Sequence, residues 1–438
     1  PQRPLPTRFH VKMLLVSVAL ISAVDPYPTD AGKKVVLAGF LDYFAERHGA
    51  DQVHYVKVGS PPGDGFAVTV HNVPAPDGRD VLRAVATRTA LGRASLQESF
   101  LYGPQTGTAI RALLTELQPT LQVFDTVRMA QYASDDVAAQ QICYLDDLFS
   151  ERYDRMLSAA QRYPDVEISP LGNFAEHVPR RLRPLATRRA SQTALLRLER
   201  RLVRRSEDRT ARRFQRCLLV NADEARSLQR RTGLHATRIA AVPPLVSTAS
   251  AANRMYSGAP EFVFLGLLSL PHNEDGVYSF LTTVWPLVLA RVPGAHLRVI
   301  GRDVSDRLLT LARKFPDSVT VDGYVPDLGE ALEQAAALIN PLRFGSGIKL
   351  KVFEALSRAL PVVSTTVGAE GIASGPGTGI VVADDPPAMA EALCSLVAIE
   401  ENLKRSAEAR EHFETTYSRD AVFRAYDDVF AVTPAVGR

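Results

Sequence analysis

The stretch PLRFGSGIKLKVFEALSRALP, residues 341–361, decides how the chain is read. Ahead of it stands AALIN (Ala336–Asn340), an apolar run of strand length. The turn Gly345-Ser346-Gly347 follows. From Ile348 to Ala359 the spacing is helical, with Ile348, Val352, Ala355, Leu356 and Ala359 on one face and Lys349, Lys351 and Arg358 elsewhere. Strand, glycine turn and helix in that order aim backbone N–H groups and the positive end of a helix dipole at an anion. Lysines just inside a helix start run against the dipole, so a bound negative group is expected beside Lys349 and Lys351. Glu354, later on the same helix, can accept hydrogen bonds from hydroxyls.

Around this stretch the second half alternates strands and helices. Strands are expected at Phe262–Leu265, His296–Ile300, Val319–Val321, Ala336–Asn340, Pro361–Thr365 and Ile380–Val382. Helices are expected at Asp275–Leu289, Val304–Phe315, Leu328–Ala336 and Pro387–Val397. That alternation means a doubly wound parallel sheet. Right-handed crossovers then bring Gly266, Gly301-Arg302, Gly323, Gly345–Gly347 and Thr366–Ile372 to one crevice.

The first half reads the same way. A buried strand is expected within Val11–Val24, in preference to a signal-peptide core behind Arg3, Arg8 and Lys12. The loop DPYPTDAGKK places Gly32 just before a helix, Lys33–His48. Further strands are expected at Val53–Val58, Phe66–Val70, Leu121–Phe124, Gln140–Leu145, Cys217–Val220 and Arg238–Val242. Asp125, Asp146 and Asp147 close two of these strands. They read either as crevice residues or as caps of the following helices. Pro243-Pro244 and the small polar run 247–258 mark the linker.

Composition narrows the function classes. The 438 residues carry a net charge of only +3, so the chain as a whole is no nucleic-acid binder by charge. Cys143, Cys217 and Cys394 are far apart in apolar runs, which suggests buried thiols and neither a disulfide frame nor a zinc site. Residues 148–216 lack strand patterning and are rich in arginine, with Leu195, Leu198, Leu202 and Val203 marking one helical face. Such a run reads as a solvated face, or as a basic surface for an anionic membrane leaflet or an acidic acceptor. No aromatic interleaving supports nucleic acid. A cytoplasmic protein, peripheral at the membrane in the second reading, is the expectation.

The string GSGIKLKVFEALSRALPVVSTTVGAEGI, residues 345–372, resembles the donor-site segment of GT-B glycosyltransferases, in particular the retaining enzymes of glycosyltransferase family 4. The resemblance implies an α/β GT-B fold, two doubly wound Rossmann-like domains facing each other across a cleft. Residues 1–245 would form the acceptor side, 246–400 the nucleotide-sugar side, and 401–438 helices crossing back. It implies transfer of a sugar from a nucleoside-diphosphate sugar, a co-substrate rather than a cofactor, to a glycan, lipid-linked or small-molecule acceptor, without a metal. Gly345, Ser346, Gly347, Ile348 and Lys349 would hold the diphosphate, Glu354 the ribose, and Glu370, Gly371 and Ile372 the sugar. Gly32, Gly266, Asn273 and Arg302 would line the same cleft. Lys349 and Glu354 would act in catalysis. Asp125 and Asp146 are the first-domain candidates for a base, although retention makes none obligatory, since a phosphate oxygen can take the acceptor's proton.

The chain departs from that family in two places. Ser346 stands where many members carry a first glutamate, seven residues before the second. The loop GLLSLPHNEDG (266–276) has neither of the basic residues often found there, so Asn273 and Lys349 are expected to share their task; capping is the alternative for Asn273. A nucleotide-sugar epimerase and a non-catalytic nucleotide-binding scaffold on the same fold are the rival readings.

Overall fold

The computed structural model describes residues 16–162, 189–246, 254, 256–345 and 347–431. Among them thirteen strands form two sheets in which every recorded pairing is parallel. The first sheet holds β1 (Val18–Ser22), β2 (Val53–Val58), β3 (Thr69–Val73), β4 (Leu121–Asp125), β5 (Gln140–Asp146), β6 (Arg216–Leu219) and β7 (Ile239–Ala241). The second holds β8 (Glu261–Leu265), β9 (His296–Ile300), β10 (Val319–Gly323), β11 (Ala337–Asn340), β12 (Val362–Ser364) and β13 (Ile380–Val382). Their orders are β3-β2-β1-β4-β5-β6-β7 and β10-β9-β8-β11-β12-β13. In both, the order reverses beside the first strand, which opens a ligand crevice at the carboxyl ends.

β1 is buried at every position, as a central parallel strand covered on both faces must be. Of the run Val11–Val24, residues 11–15 lie outside the described residues. The third strand runs Thr69–Val73, not Phe66–Val70, because its register against β2 starts at His54↔Thr69. The single helix expected over Asp275–Leu289 is two, Pro271–Thr283 and Trp285–Arg291. Pro286 at the second position of the latter has no N–H to continue the first.

Helices cover both sheets. Gly32–His48 packs Val36, Phe40 and Phe44 beneath the first sheet, and the helix Arg419–Phe430 returns from the end of the chain to close that layer. Phe430 lies edge-on to Phe40 and Phe44 at 5.1 and 4.8 Å between ring centres. The preceding helix, Ile399–Thr416, stays on the second unit, where Ala409 and Phe413 meet the core around Phe353. Residues 432–438, like the linker stretch 247–253 and Ser346, lie outside the described residues. Arg254, at the end of the linker, is buried. Its guanidinium donates to Asn402 Oδ1 at 2.8 Å, to Ser406 Oγ and to the Ala335 carbonyl.

The arginine-rich region is a pair of packed helices, Phe149–Arg162 and Arg189–Arg213, while residues 163–188 lie outside the described residues. Leu196, Leu202 and Val203 are buried, but Leu198 is exposed, contrary to the expected face. The buried side is partly polar: Glu199 accepts from the amides of Leu96 and Gln97, and Glu207 binds Ser150 and Arg231. Periodicity of apolar residues alone misses a face built from carboxylates that cap neighbouring helices.

Candidate active site between the two sheets

The carboxyl ends of the two sheets face a cavity of about 1700 Å³, room for a nucleotide sugar and part of an acceptor. The first unit contributes Gly32, Lys33, Asp146, Asp147, Arg152 and Asn221 among others; the second contributes His272, Gly345, Gly347, Ile348 and Glu370. The units touch at close quarters. A β-carbon on Gly32 would stand 2.8 Å from Ile348 Cγ1, so only glycine leaves room there. Ile348 packs against the apolar cores of both units.

The opening stretch folds into the expected strand, turn and helix. Gly345 and Gly347 have φ of 136° and 76°, which suit glycine. The helix is shorter than expected, Leu350–Ser357 with Lys349 at its N-cap position. Ala359, at φ 55°, lies beyond its end. Lys349 is buried, and its Nζ donates to the Gly347 carbonyl at 2.6 Å. Burial pulls its ammonium down to about 8, Glu370 opposes that, and Arg152 and Arg155 add to it.

Lys351, half-buried, is the second cation here. Its Nζ donates to Asn273 Oδ1 at 2.9 Å and lies 4.0 Å from the centre of the Phe264 ring. Burial and the neighbouring Lys349 bring it down to about 7. Asn273 is therefore the partner of Lys351, not of Lys349. It sits third in its helix, after Pro271 and His272, and the N-cap position is Leu270. Gly266 packs beneath this pair: a β-carbon on it would stand 2.9 Å from Asn273 Nδ2 and 3.0 Å from Lys351 Nζ. His272 borders Gly345 and is held neutral, at about 4, by burial and by both lysines.

Other expected residues are placed differently. Glu354 is not among the cavity-lining residues and pairs with Arg358 Nε at 2.9 Å, one helical turn on. Arg302 is exposed over the Tyr324 ring, away from the cavity wall. Ile372 belongs to the core, and its amide donates to the Ala369 carbonyl, so it is not the sugar-facing amide expected of it. Gly371 does face the other unit: Asn221 Cβ lies 3.4 Å from where its β-carbon would stand. Glu370 lines the cavity and is paired across it with Arg155.

Of the candidate bases, Asp125 is not part of the cavity wall. It lies under the cavity floor, fully enclosed, accepting from Ser22 Oγ at 2.7 Å and paired with Lys33 Nζ at 2.7 Å. Burial of the chain end of β4 turned an expected crevice carboxylate into a structural ion pair. Asp146 does line the cavity, at φ 71°, a backbone that aspartate tolerates. It accepts from Tyr144 OH at 2.8 Å, and burial raises its carboxyl. Asp147 beside it holds Arg152.

Arg152 and Arg155 were hidden inside a run that reads as surface charge. Their position was nonetheless marked: they fall in the first two turns of the helix after Asp146-Asp147, at a sheet's carboxyl edge. Arg155 joins Glu224 at 2.6 Å to Glu370 on the opposite unit.

Residues 259–398 match the family described as Glycosyl transferases group 1. A Klebsiella pneumoniae protein described as an uncharacterized 44.6 kDa protein in the cps region is 30% identical over 130 residues, 28% of this chain and 33% of that protein. The match thus spans about a third of the relative's length. Among solved structures, HepE of Anabaena in complex with UDP superposes at a TM-score of 0.60 and 9% identity, covering 95% of this chain and 100% of that one. Sucrose-phosphate synthase of Thermosynechococcus elongatus gives 0.59 at 14% identity, covering 95% and 100%. WaaG, a glycosyltransferase involved in lipopolysaccharide biosynthesis, gives 0.56 at 14%, covering 94% and 99%. At such identities the likeness is one of fold, and the fold is GT-B.

Proposed function

We propose that this chain, whose second half carries a glycosyl transferases group 1 domain on a GT-B fold, moves a glycosyl group from a nucleoside-diphosphate sugar to a hydroxyl acceptor with retention of configuration. The observation that carries the reading is the meeting of a glycine turn and Glu370 with first-unit residues around one inter-sheet cavity, with Lys349 buried behind the turn and its Nζ on the Gly347 carbonyl. HepE, which shares the fold, is known with UDP bound. In the proposed reaction the bond from the sugar's anomeric carbon to the diphosphate breaks. The acceptor oxygen attacks from the same face, and its proton passes to a phosphate oxygen. Charge growing on the diphosphate is met by Lys349, freed from the Gly347 carbonyl, and by the turn's amides, with no metal required. Glu370 orients sugar hydroxyls. Glu354 reaches the ribose by sharing or releasing Arg358, a positioning role. Asp146 is the first-unit carboxylate placed to guide the acceptor.

Acceptor contacts would come from the first unit's wall, where Pro76, Val81, Leu101, Phe149 and Met156 line the cavity. The helix Arg189–Arg213 exposes Arg197, Arg201, Arg204, Arg205 and Arg212, while its Glu199 and Glu207 are buried. We assign that face to an anionic membrane leaflet; residues 180–188 of the basic region lie outside the described residues. Among the described residues no helix is long and apolar enough to cross a membrane.

A thermal-unfolding panel with UDP, GDP, ADP and dTDP tests the donor site. A nucleotide at about 100 times its dissociation constant adds about 2.7 kcal/mol of stability. One base is expected to stand out, with donor turnover lost in Lys349→Ala. A protein indifferent to all four nucleotides would reject the proposal, and a donor isomerised without transfer would point to an epimerase.

A further inference from the structure

We infer that Arg152, on the first unit, is a donor-diphosphate ligand that reaches across the cleft to the glycine turn of the second. This rests on the donor site proposed above and adds to it a guanidinium from the first unit.

Three observations place it. Arg152 lines the cavity, and its Nη2 lies 3.8 Å from where a β-carbon on Gly347 would stand. The side chain is held for that position: Asp147 pairs with its Nη2, and its guanidinium carbon sits 4.7 Å from the centre of the Phe149 ring. Its Nε is buried with no hydrogen-bond partner. A buried guanidinium N–H with nothing to donate to is costly unless a ligand completes it.

Charge balance agrees. Arg152 and Lys349 approach the same turn from opposite units, close enough for Arg152 to disfavour the charge on Lys349. Lys351 adds a third positive group, bonded to an amide oxygen instead of a carboxylate. Asp147 and Glu370 are shared with Arg152 and Arg155. An anion with several oxygens, seated between Arg152 and Lys349, relieves the repulsion. A guanidinium offers two parallel donors to phosphate oxygens, which an ammonium cannot. Because the two cations belong to different units, the diphosphate itself ties the halves together, and a monophosphate reaches fewer of these donors.

The test is calorimetric titration of the full chain with nucleoside diphosphate and monophosphate pairs: UDP and UMP, GDP and GMP, ADP and AMP, dTDP and dTMP. For whichever base binds, Arg152→Gln is expected to weaken the diphosphate about 10- to 100-fold and the monophosphate less than about twofold. Arg152→Lys, which keeps a cation beside Asp147, should recover part of the loss. A purely structural arginine would weaken both nucleotides alike or neither. If wild type prefers a diphosphate and Arg152→Gln keeps that preference, the inference is overturned while the donor site stands. If wild type binds none of the eight, the donor site itself fails, and this inference with it. Should Arg152→Gln not fold, Arg152→Lys decides: an unchanged diphosphate-to-monophosphate ratio overturns the inference.

Discussion

Gly32→Ala should separate folding from function. Gly32 opens the helix Gly32–His48 with φ outside the left-handed region, so its backbone accepts alanine without strain. Alanine in a compatible helical position stabilises by about 0.4–1 kcal/mol, mainly by restricting the unfolded chain. The new methyl, however, would stand 2.8 Å from Ile348 Cγ1 and 3.4 Å from Cδ1. Overpacking of that kind costs about 1–3 kcal/mol, and here the contact it strains joins the two units. The first unit should therefore keep or gain thermal stability while the closed arrangement weakens about 5- to 150-fold. Steady-state donor turnover and nucleotide affinity, measured beside thermal unfolding, give the two signs separately. Adding Ile348→Ala removes the clashing atoms and should restore part of the loss, with a coupling of about 0.5–3 kcal/mol. Wild-type turnover in Gly32→Ala, or a double variant no better than the single, would refute the idea that this contact belongs to the working state.

Nucleoside-diphosphate affinity should fall as pH rises from 7 to 9, because Lys349 near 8 and Lys351 near 7 lose their protons in the free protein and a bound diphosphate needs them charged; titrations in buffers of different ionisation enthalpy should show proton uptake, and none at pH 8 counts against the assignment. For folding the sign is opposite: these lysines titrate near 10.5 when unfolded, the unfolded state holds more protons between about 7 and 10, and their contribution to stability rises with pH there. Arg254→Met should cost about 2–4 kcal/mol in denaturant unfolding by orphaning the Ala335 carbonyl and leaving Asn402 Oδ1 only its long bond from Ser406 Oγ, and a loss under 1 kcal/mol would mean water replaces the guanidinium. Phe430→Ala should cost about 3–5 kcal/mol by emptying the space against Phe40 and Phe44, seen as a lowered unfolding midpoint; a wild-type midpoint would show that the terminal helix adds nothing to the first unit's core.

Much of the site was legible because its signals are local. A glycine turn needs positive φ, and Gly345 and Gly347 have it. Lys349 follows it at the helix N-cap with its Nζ on the Gly347 carbonyl, and Glu370, in the loop expected to reach the cleft, lines the cavity. Asp125 and Asp146 looked alike in sequence, each ending a strand. The difference between them is whether a lysine waits below: Lys33 captures Asp125, while Asp146 stays at the cavity surface. Ile372 was misplaced because an apolar residue in a ligand loop gives no sign of whether its side chain turns inward, and here it joins the core.

By itself the sequence determined two parallel doubly wound sheets, their strand-to-helix turns and the edge on which those turns gather, since periodicity, glycine placement and crossover handedness are properties of consecutive residues. Only the tertiary structure decided which charges meet. Arg155 with Glu370, Arg152 beside Gly347 and Ile348 against Gly32 are contacts between residues roughly two hundred or more positions apart in the chain. No local pattern encodes them, because a charge in an arginine-rich helix is solvated or buried according to what the second unit brings against it.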